Sequence, residues 1–569
     1  MTEMIHSVRR IRDLKDMLYQ STELYGEKAA FHPRDAEDRY YDISYNRFRE
    51  EVDALGTYLL EKGYGSKFIA VLGENRYEWC LTYMAVVCGT GVIVPIDKEL
   101  SREEIKNLLI RSESSLLITS SKYLKMANEL KKEIPSLDLV VSMDNTQTSE
   151  NPILGDLISE GKKLLEQGKK EYVDAFIDRD ALSILLYTSG TTDLAKGVML
   201  SHRNICSNIM SVRSVIPIYS SDKLVSILPL HHTYECTCGF LLLIYSGASI
   251  AFNEGLKHIA KNMKEVKPTV ALLVPLILES LYKKVVEGAS RKFISKIMFR
   301  VLSPLSFFFS DKLGINIGKK IFAKVHNNLG GNLRLIISGA AGIDPEVSKG
   351  LRSIGFKILQ GYGLTECSPI ATVNREDNFI DSSIGLAIPY VDVKITDAGE
   401  DGIGEILIRG ENVMLGYYKN REATEAVLKK EWLYTGDLGY MDKNGFFFIS
   451  GRKKNVIVTK NGKNIFPEEV ESYINKSKYI LESMVWGKYE TNMQENYVHA
   501  TLVPDIEAIN ERFMLQTTSE QDIEHLIEEE IREVNSLLPL YKKIKSYTIQ
   551  YEELEKTTTK KIKRYVNKD

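Results

Sequence analysis

From Phe68 onward, short apolar runs rich in β-branched residues alternate with segments of helical length: FIAVLG, then NRYEWCLTYMAVVCG, then VIVPI, a further helical stretch, and SLLITS. This rhythm restricts the fold more than any other feature. Strands separated by helix-length connections run parallel, and the helices cross over the sheet that the strands form. The helix before SLLITS marks its own start, since Ser101 with Glu104 three positions on makes a capping box. The alternation returns at KLVSILPL, TVALLVPL and LRLIISGAAG. The fold class is therefore α/β: a large N-terminal domain of mixed and parallel sheets covered by helices.

At 569 residues, 44% of them apolar, the chain exceeds what one core organises. Between Asp144 and Arg179 it turns polar and charged, which predicts a surface segment. After Gly451 the texture changes to short strands (NVIVTK, SMVWGKY, YVHATLVP), an acidic helix near 524–533 with a solvated face, and the lysine-rich tail KTTTKKIKR. The expected division is a large domain over 1–451 and a small α+β domain over 452–569.

Lys plus Arg number 74 against 77 Asp plus Glu, so the basic excess typical of nucleic-acid binding is absent. The six cysteines are scattered. Only Cys236 and Cys238 lie close, at a spacing shorter than zinc sites use, which suits free thiols in a reducing cytoplasm. The N-terminus carries charges where a signal peptide has its apolar core, so no export is expected. Cys238 to Phe252 is apolar but shorter than the roughly 20 residues of a membrane span, and predicts a buried helix leading into a buried strand.

Tyr187 to Gly197, YTSGTTDLAKG, gathers seven hydroxyl-bearing or glycine residues around Lys196. Glycines let a loop turn its N–H groups onto an anion, and hydroxyls add donors, so a phosphate is the first candidate ligand. A Walker A loop needs Gly before its lysine and Ser or Thr after it; Lys196 sits between Ala195 and Gly197, and that reading fails. Turn chemistry alone also clusters such residues.

Four further stretches follow: GYGLTE (361–366), YTGDLG (434–439), GRKKNVIVTKNGKNIFPEEVE (451–471) and KTTTKKIKR (556–564). With the loop, their order and spacing resemble the adenylate-forming (AMP-binding) superfamily of acyl-CoA synthetases, luciferases and peptide-synthetase adenylation domains, over nearly the whole chain. The resemblance implies a carboxylate activated by ATP through an acyl adenylate and then passed to a thiol, with ATP, Mg²⁺ and coenzyme A as the small molecules required. It assigns the phosphates to Thr188, Ser189, Gly190, Thr191, Thr192 and Lys196. Magnesium goes to Glu366 and Thr191, with Thr365 beside them in the catalytic motif. Adenosine falls to Tyr362 with Gly361, to the turn Gly339, Ala340 and Ala341, and to Asp437 and Arg452 at the ribose. Lys561 stands between the attacking carboxylate and the α-phosphate. A hinge at Lys454 exchanges it for a pantetheine passage lined by Gly462, Lys463 and Asn464. His232, in LPLHHTYE, matches the position beside the acyl carboxylate. Neighbours on an extended segment point oppositely, so His231 and His232 are not expected to share a metal, and no third ligand is apparent.

The chain departs from the family pattern at Asp193 and Lys560, where glycine is usual, and at Ala195, where proline is usual. An acid near ATP phosphates repels them unless it faces solvent or magnesium. The basic and apolar segment 290–331, and GRKKNVIVTKNGKNIFP, resemble the long-chain fatty acyl-CoA synthetase branch, which implies a long-chain fatty acid as substrate. Segment 290–331 suits either a peripheral membrane contact or a helical hairpin packed on the large domain. Coenzyme A is the favoured thiol and acyl-carrier protein the alternative. An aryl or medium-chain acid ligase, or a degenerate homologue that binds ATP or acyl chains without turnover, remain the other readings.

Overall fold

The runs FIAVLG, VIVPI and SLLITS are the parallel strands Phe68–Leu72, Val92–Ile96 and Leu116–Thr119 in a computed structural model of the chain. It describes all residues except 1–2, 145–150, 189–194, 291–300, 310–314, 460–462, 491–494, 515–516, 557–561 and 565–569. The mixed α/β class read from the sequence is the one observed. Two compact units divide the chain, one of segments 1–188, 196–393 and 408–433, the other including 394–407 and 434–569.

The first unit holds two large sheets. One has seven strands in the order Gly416–Tyr417, Lys196–Ser201, Leu182–Thr188, Val92–Ile96, Phe68–Leu72, Leu116–Thr119, Leu139–Ser142. Its parallel part is buried along whole strands, as a sheet covered on both faces requires. The helix Arg102–Ser112 starts with the predicted capping box, Ser101 and Glu104 bonding each other's backbone N–H groups. The second sheet has nine strands. Lys223–Ser226, Val270–Leu273 and Leu335–Ser338 lie side by side at its centre, and these are the later three runs read from the sequence. Met263, Leu351 and Ile354 pack with Val225, Ala271 and Ile336 to form that sheet's core. Each fully buried aliphatic side chain contributes about 1.5–3 kcal/mol relative to exposure.

The apolar stretch after Cys238 runs as helix through Leu242–Ser246, turns at Gly247 (φ 75°), and enters the buried strand Ser249–Phe252, as expected. No helix among the described residues is long and apolar enough to cross a membrane. All six cysteines are buried, and none forms a disulfide.

One expectation needs correcting. The polar segment after Asp144 is more than surface chain: it contains the helix Leu154–Glu166, which buries Leu154, Leu157 and Gly161. Gly161 lies so close to the helix Tyr45–Leu59 that a Cβ there would stand 1.9 Å from the carbonyl oxygen of Ala54. Just beyond, Tyr172 is fully buried and donates its hydroxyl to the Ala85 carbonyl. A narrow apolar stripe among lysines and glutamates hid this contact.

In the second unit, Ile480–Glu490 and Glu495–Pro504 pair antiparallel and Ser546–Ile549 adds a parallel strand. The acidic helix Glu520–Leu537 buries Ile523, Leu526, Ile527, Ile531 and Val534 and leaves its acids in water. Of the segment 290–331, residues 301–309 are helical and expose Val301, Leu305 and Phe308.

Candidate active site

Strands Leu182–Thr188 and Lys196–Ser201 are antiparallel, with Thr188 opposite Lys196, so the residues on either side of the Ser/Thr/Gly-rich stretch are paired. The Thr188 hydroxyl lies 3.4 Å from the Lys196 carbonyl oxygen. Ser189, Gly190, Thr191, Thr192 and Asp193 lie outside the described residues.

Beyond the loop, Lys196 directs its Nζ over the ring of Tyr417, 4.9 Å from the centroid. The Tyr417 hydroxyl in turn donates to Glu366 Oε1 at 2.8 Å. Tyr417 is buried and sits on the short strand paired with Lys196–Ser201, opposite Val198. Tyr417 thus links a cation over its ring face to a carboxylate at its hydroxyl. Lys196 and Glu366 were legible in the sequence, whereas Tyr417 was not, because only strand pairing brings GYYK beside the loop. A carboxylate oxygen is the hard ligand that Mg²⁺ prefers, so Glu366 fits the magnesium role chemically.

Glu366 hangs on a tight return. Ile358–Gly363 runs into the single 3₁₀ turn Thr365–Cys367 and back along Ile370–Val373. Gly363 permits it, since a Cβ there would lie 1.8 Å from the Pro369 carbonyl oxygen. Tyr362 is buried on the same strand, opposite Thr372, next to Gly361. At the end of Leu335–Ser338, Gly339 passes so close to Tyr234 that a Cβ would meet its ring at 2.8 Å. Ala340 follows at φ 72°, a left-handed conformation that costs a non-glycine residue about 1–3 kcal/mol, and both Ala340 and Ala341 face solvent. Strain of this kind concentrates at sites that hold ligands.

His231 and His232 depart from the sequence reading. They lie on a turn after strand Lys223–Ser226, with the His232 N–H bonded to the Pro229 carbonyl, so strand alternation does not apply. Their ring centroids are 4.1 Å apart. Asp97, at the end of Val92–Ile96, brings Oδ2 to 3.4 Å from His231 Nε2. The hydroxyls of Thr233 and Thr365 lie 3.4 Å apart, which sets this turn beside the GYGLTE return. Two residues beyond Thr233, Glu235 is fully buried and accepts from Ser226 at 2.6 Å, and burial pushes its carboxyl up to about 8.

In the second unit, Asp437 and Arg452 face each other across two antiparallel strands, with Arg452 Nε 2.7 Å from Asp437 Oδ1. Asp437 is 4% exposed, so its carboxylate is held in place by this partner rather than by water. Glu405 receives Lys453 Nζ at 2.8 Å and the Gly436 N–H at 3.0 Å, fixing the YTGD turn, where Gly436 has φ 71°. Desolvation, with Arg452 and Arg564 adding like charge, lowers the Lys454 ammonium to about 8. Lys463 bonds back to Thr459 at the head of the small hairpin that Asn464–Ile465 forms with Ile457–Val458. Gly462, Lys560 and Lys561 lie outside the described residues.

The AMP-binding enzyme family profile matches residues 18–418. The chain belongs to the AMP-binding enzyme family. Among curated members, it is 31% identical over 504 residues to the long-chain-fatty-acid–CoA ligase 5 of Rattus norvegicus, covering 83% of this chain and 72% of that one. Solved CoA ligases and synthetases share the fold. An anthranilate CoA ligase in complex with anthranoyl-AMP superposes with a TM-score of 0.75 at 21% identity, over 97% of this chain and 96% of that one. An O-succinylbenzoate coenzyme A synthetase from Bacillus subtilis, in complex with ATP and a magnesium ion, gives 0.72 at 21% identity, over 97% and 99%.

Proposed function

We propose that this AMP-binding enzyme activates a long-chain fatty acid with ATP and transfers the acyl group to coenzyme A. The observation that carries the reading is that Tyr417 links Lys196 to Glu366, in a chain related to long-chain fatty acid ligases. A carboxylate is a poor electrophile. Its oxygen attacks the α-phosphorus of ATP, the bond to the β-phosphate oxygen breaks, and pyrophosphate leaves. The thiol then attacks the acyl carbon, loses its proton and expels AMP, leaving the thioester.

Both steps bring anions together, so positioning and charge neutralisation dominate. Lys196, with Thr188, Ser189, Gly190, Thr191 and Thr192, holds the β- and γ-phosphates. Glu366 and Thr191 hold magnesium, which when bound spreads charge over phosphate oxygens. Tyr362, Gly361 and the turn at Gly339, Ala340 and Ala341 contact the base; Asp437 and Arg452 serve the ribose. His232 and Thr365 flank the acyl carboxylate, and Lys561 offsets its approach to the α-phosphate. The small lid domain, 452–569, turns about a hinge near Lys454 for the second step, when Gly462, Lys463 and Asn464 guide pantetheine. The enzyme works in the cytoplasm, and the exposed Val301, Leu305 and Phe308 rest on a membrane surface that supplies its acid. Vesicle co-sedimentation is expected to retain the protein; binding that ignores lipid would remove the membrane contact.

Pyrophosphate release with palmitate, octanoate, a cinnamic acid and acetate, each with and without coenzyme A, tests the assignment. Turnover with palmitate and coenzyme A is expected. Release with palmitate but no turnover on coenzyme A would transfer the acceptor role to acyl-carrier protein. Silence with every acid would overturn the reading.

A further inference from the structure

Asp97, His231 and His232 come from two different sheets and meet with more order than chance packing gives. Asn75 staples the histidine turn: its Oδ1 accepts the Leu230 N–H at 3.1 Å, and its Nδ2 donates to the Leu228 carbonyl at 2.6 Å and to Ser226 Oγ at 2.9 Å. Asp97 is fixed as well, Oδ1 accepting the Glu99 N–H at 2.9 Å while Oδ2 turns toward His231. One ligand atom from each of the three residues lies within 4.8 Å of the other two. The His231 side chain is only 9% exposed, and its Nε2 is buried with no hydrogen bond among the described residues.

A buried imidazole nitrogen without a hydrogen bond is costly, and a metal ion satisfies it. Two imidazoles and a carboxylate suit a borderline transition ion, and three protein ligands with one position left open is the arrangement of catalytic rather than structural zinc. We propose that Asp97, His231 and His232 bind one ion of the Zn²⁺ class, leaving a coordination position open to a carboxylate. Metal binding stands apart from the proposed function. That the open position meets the fatty acid rests on that reading, because it is His232 that lies beside the acyl carboxylate there.

Titration of the full-length, metal-stripped protein with Co²⁺ tests the site through the ion's visible absorption. One equivalent should bind with an intense band characteristic of four or five nitrogen and oxygen ligands, displaced by Zn²⁺. Affinity should fall roughly tenfold or more in His231→Ala and in Asp97→Ala. It should persist in His525→Ala, on an exposed helix face. No band, a sulfur-to-cobalt band from cysteine, or a band unchanged in both variants would overturn the proposal. If the variants fail to fold, X-ray absorption at the zinc edge of the unaltered protein decides: two imidazole ligands support the site and none refutes it. Palmitate should then perturb the cobalt band. A band that forms and ignores palmitate would keep the metal site and remove its link to the acyl carboxylate.

Discussion

Glu235 and His202 are both buried, and their ionisation limits the pH range of the fold from opposite sides. The Glu235 carboxyl, raised by burial to about 8, is protonated in the folded protein between its ordinary range and that value. Its contribution is complete below about pH 4.5 and is lost as pH rises through 8, on the order of 5 kcal/mol in full. Burial lowers His202 to about 4, and its Nδ1 accepts the Leu14 N–H at 3.1 Å. Its contribution is complete above about pH 6.5 and is lost as pH falls through 4. Glu235→Gln keeps the shape and removes the ionisation, so its melting temperature should exceed that of the unaltered protein at pH 8.5 and match it near pH 5. Thermal melts across that range check this. Tyr417→Phe deletes one hydrogen bond to a charged acceptor, worth about 1.5 kcal/mol, and should lower kcat/KM for ATP about tenfold, with the apparent KM for magnesium raised. Unchanged magnesium dependence would separate Tyr417 from the Glu366 site. Individual residues were legible in the sequence where a motif framed them, as with Lys196, Glu366 and Asp437. Tyr417 and Asp97 had no frame: Tyr417 owes its place to pairing with the strand that holds Val198, and Asp97 meets His231, which comes from the other sheet.

At the scale of elements, the parallel strands were readable because both faces are buried, which leaves uninterrupted β-branched runs such as VIVPI. The helix Leu154–Glu166 was not, because it buries one narrow stripe and its tightest contact involves a glycine, which leaves no apolar signature. That contact sets a prediction. Gly161→Ala would drive a methyl into the Ala54 carbonyl, which would stand at 1.9 Å, so the two helices must part. Overpacking of this kind costs about 1–3 kcal/mol, even though alanine favours helix by about 1 kcal/mol over glycine. Urea denaturation should show the midpoint falling with an unchanged slope; a rise would mean that helix propensity outweighs the close approach. The turn bearing His231 and His232 failed for a different reason. Two adjacent polar residues after a strand carry no signal that the chain has left extended geometry, and Asn75, which holds the turn, lies far upstream.

For the whole molecule, the motif order was the most informative signal, since five short stretches keep their sequence across nearly the full chain. What they leave unwritten is timing. One catalytic pocket has to serve two reactions with different needs: the first must neutralise a carboxylate approaching a phosphate, and the second must admit a thiol to an acyl carbon that is already activated. In the proposed scheme the lid turns about Lys454 between the two steps and withdraws Lys561 from the pocket, so that lysine serves the first reaction and not the second. Lys561→Ala should therefore suppress fatty-acid-dependent pyrophosphate release by about 10²-fold or more, in line with the loss of a group that positions two anions. Thioester formation from chemically supplied palmitoyl adenylate and coenzyme A should stay within about threefold of the unaltered enzyme. The proposed scheme gives Gly462 and Asn464 to the second reaction, so Gly462→Leu, narrowing the proposed pantetheine passage, should show the reverse pattern. Equal loss of both half-reactions in either variant would mean that the lid domain works in one configuration, and that the hinge at Lys454 has no part in turnover.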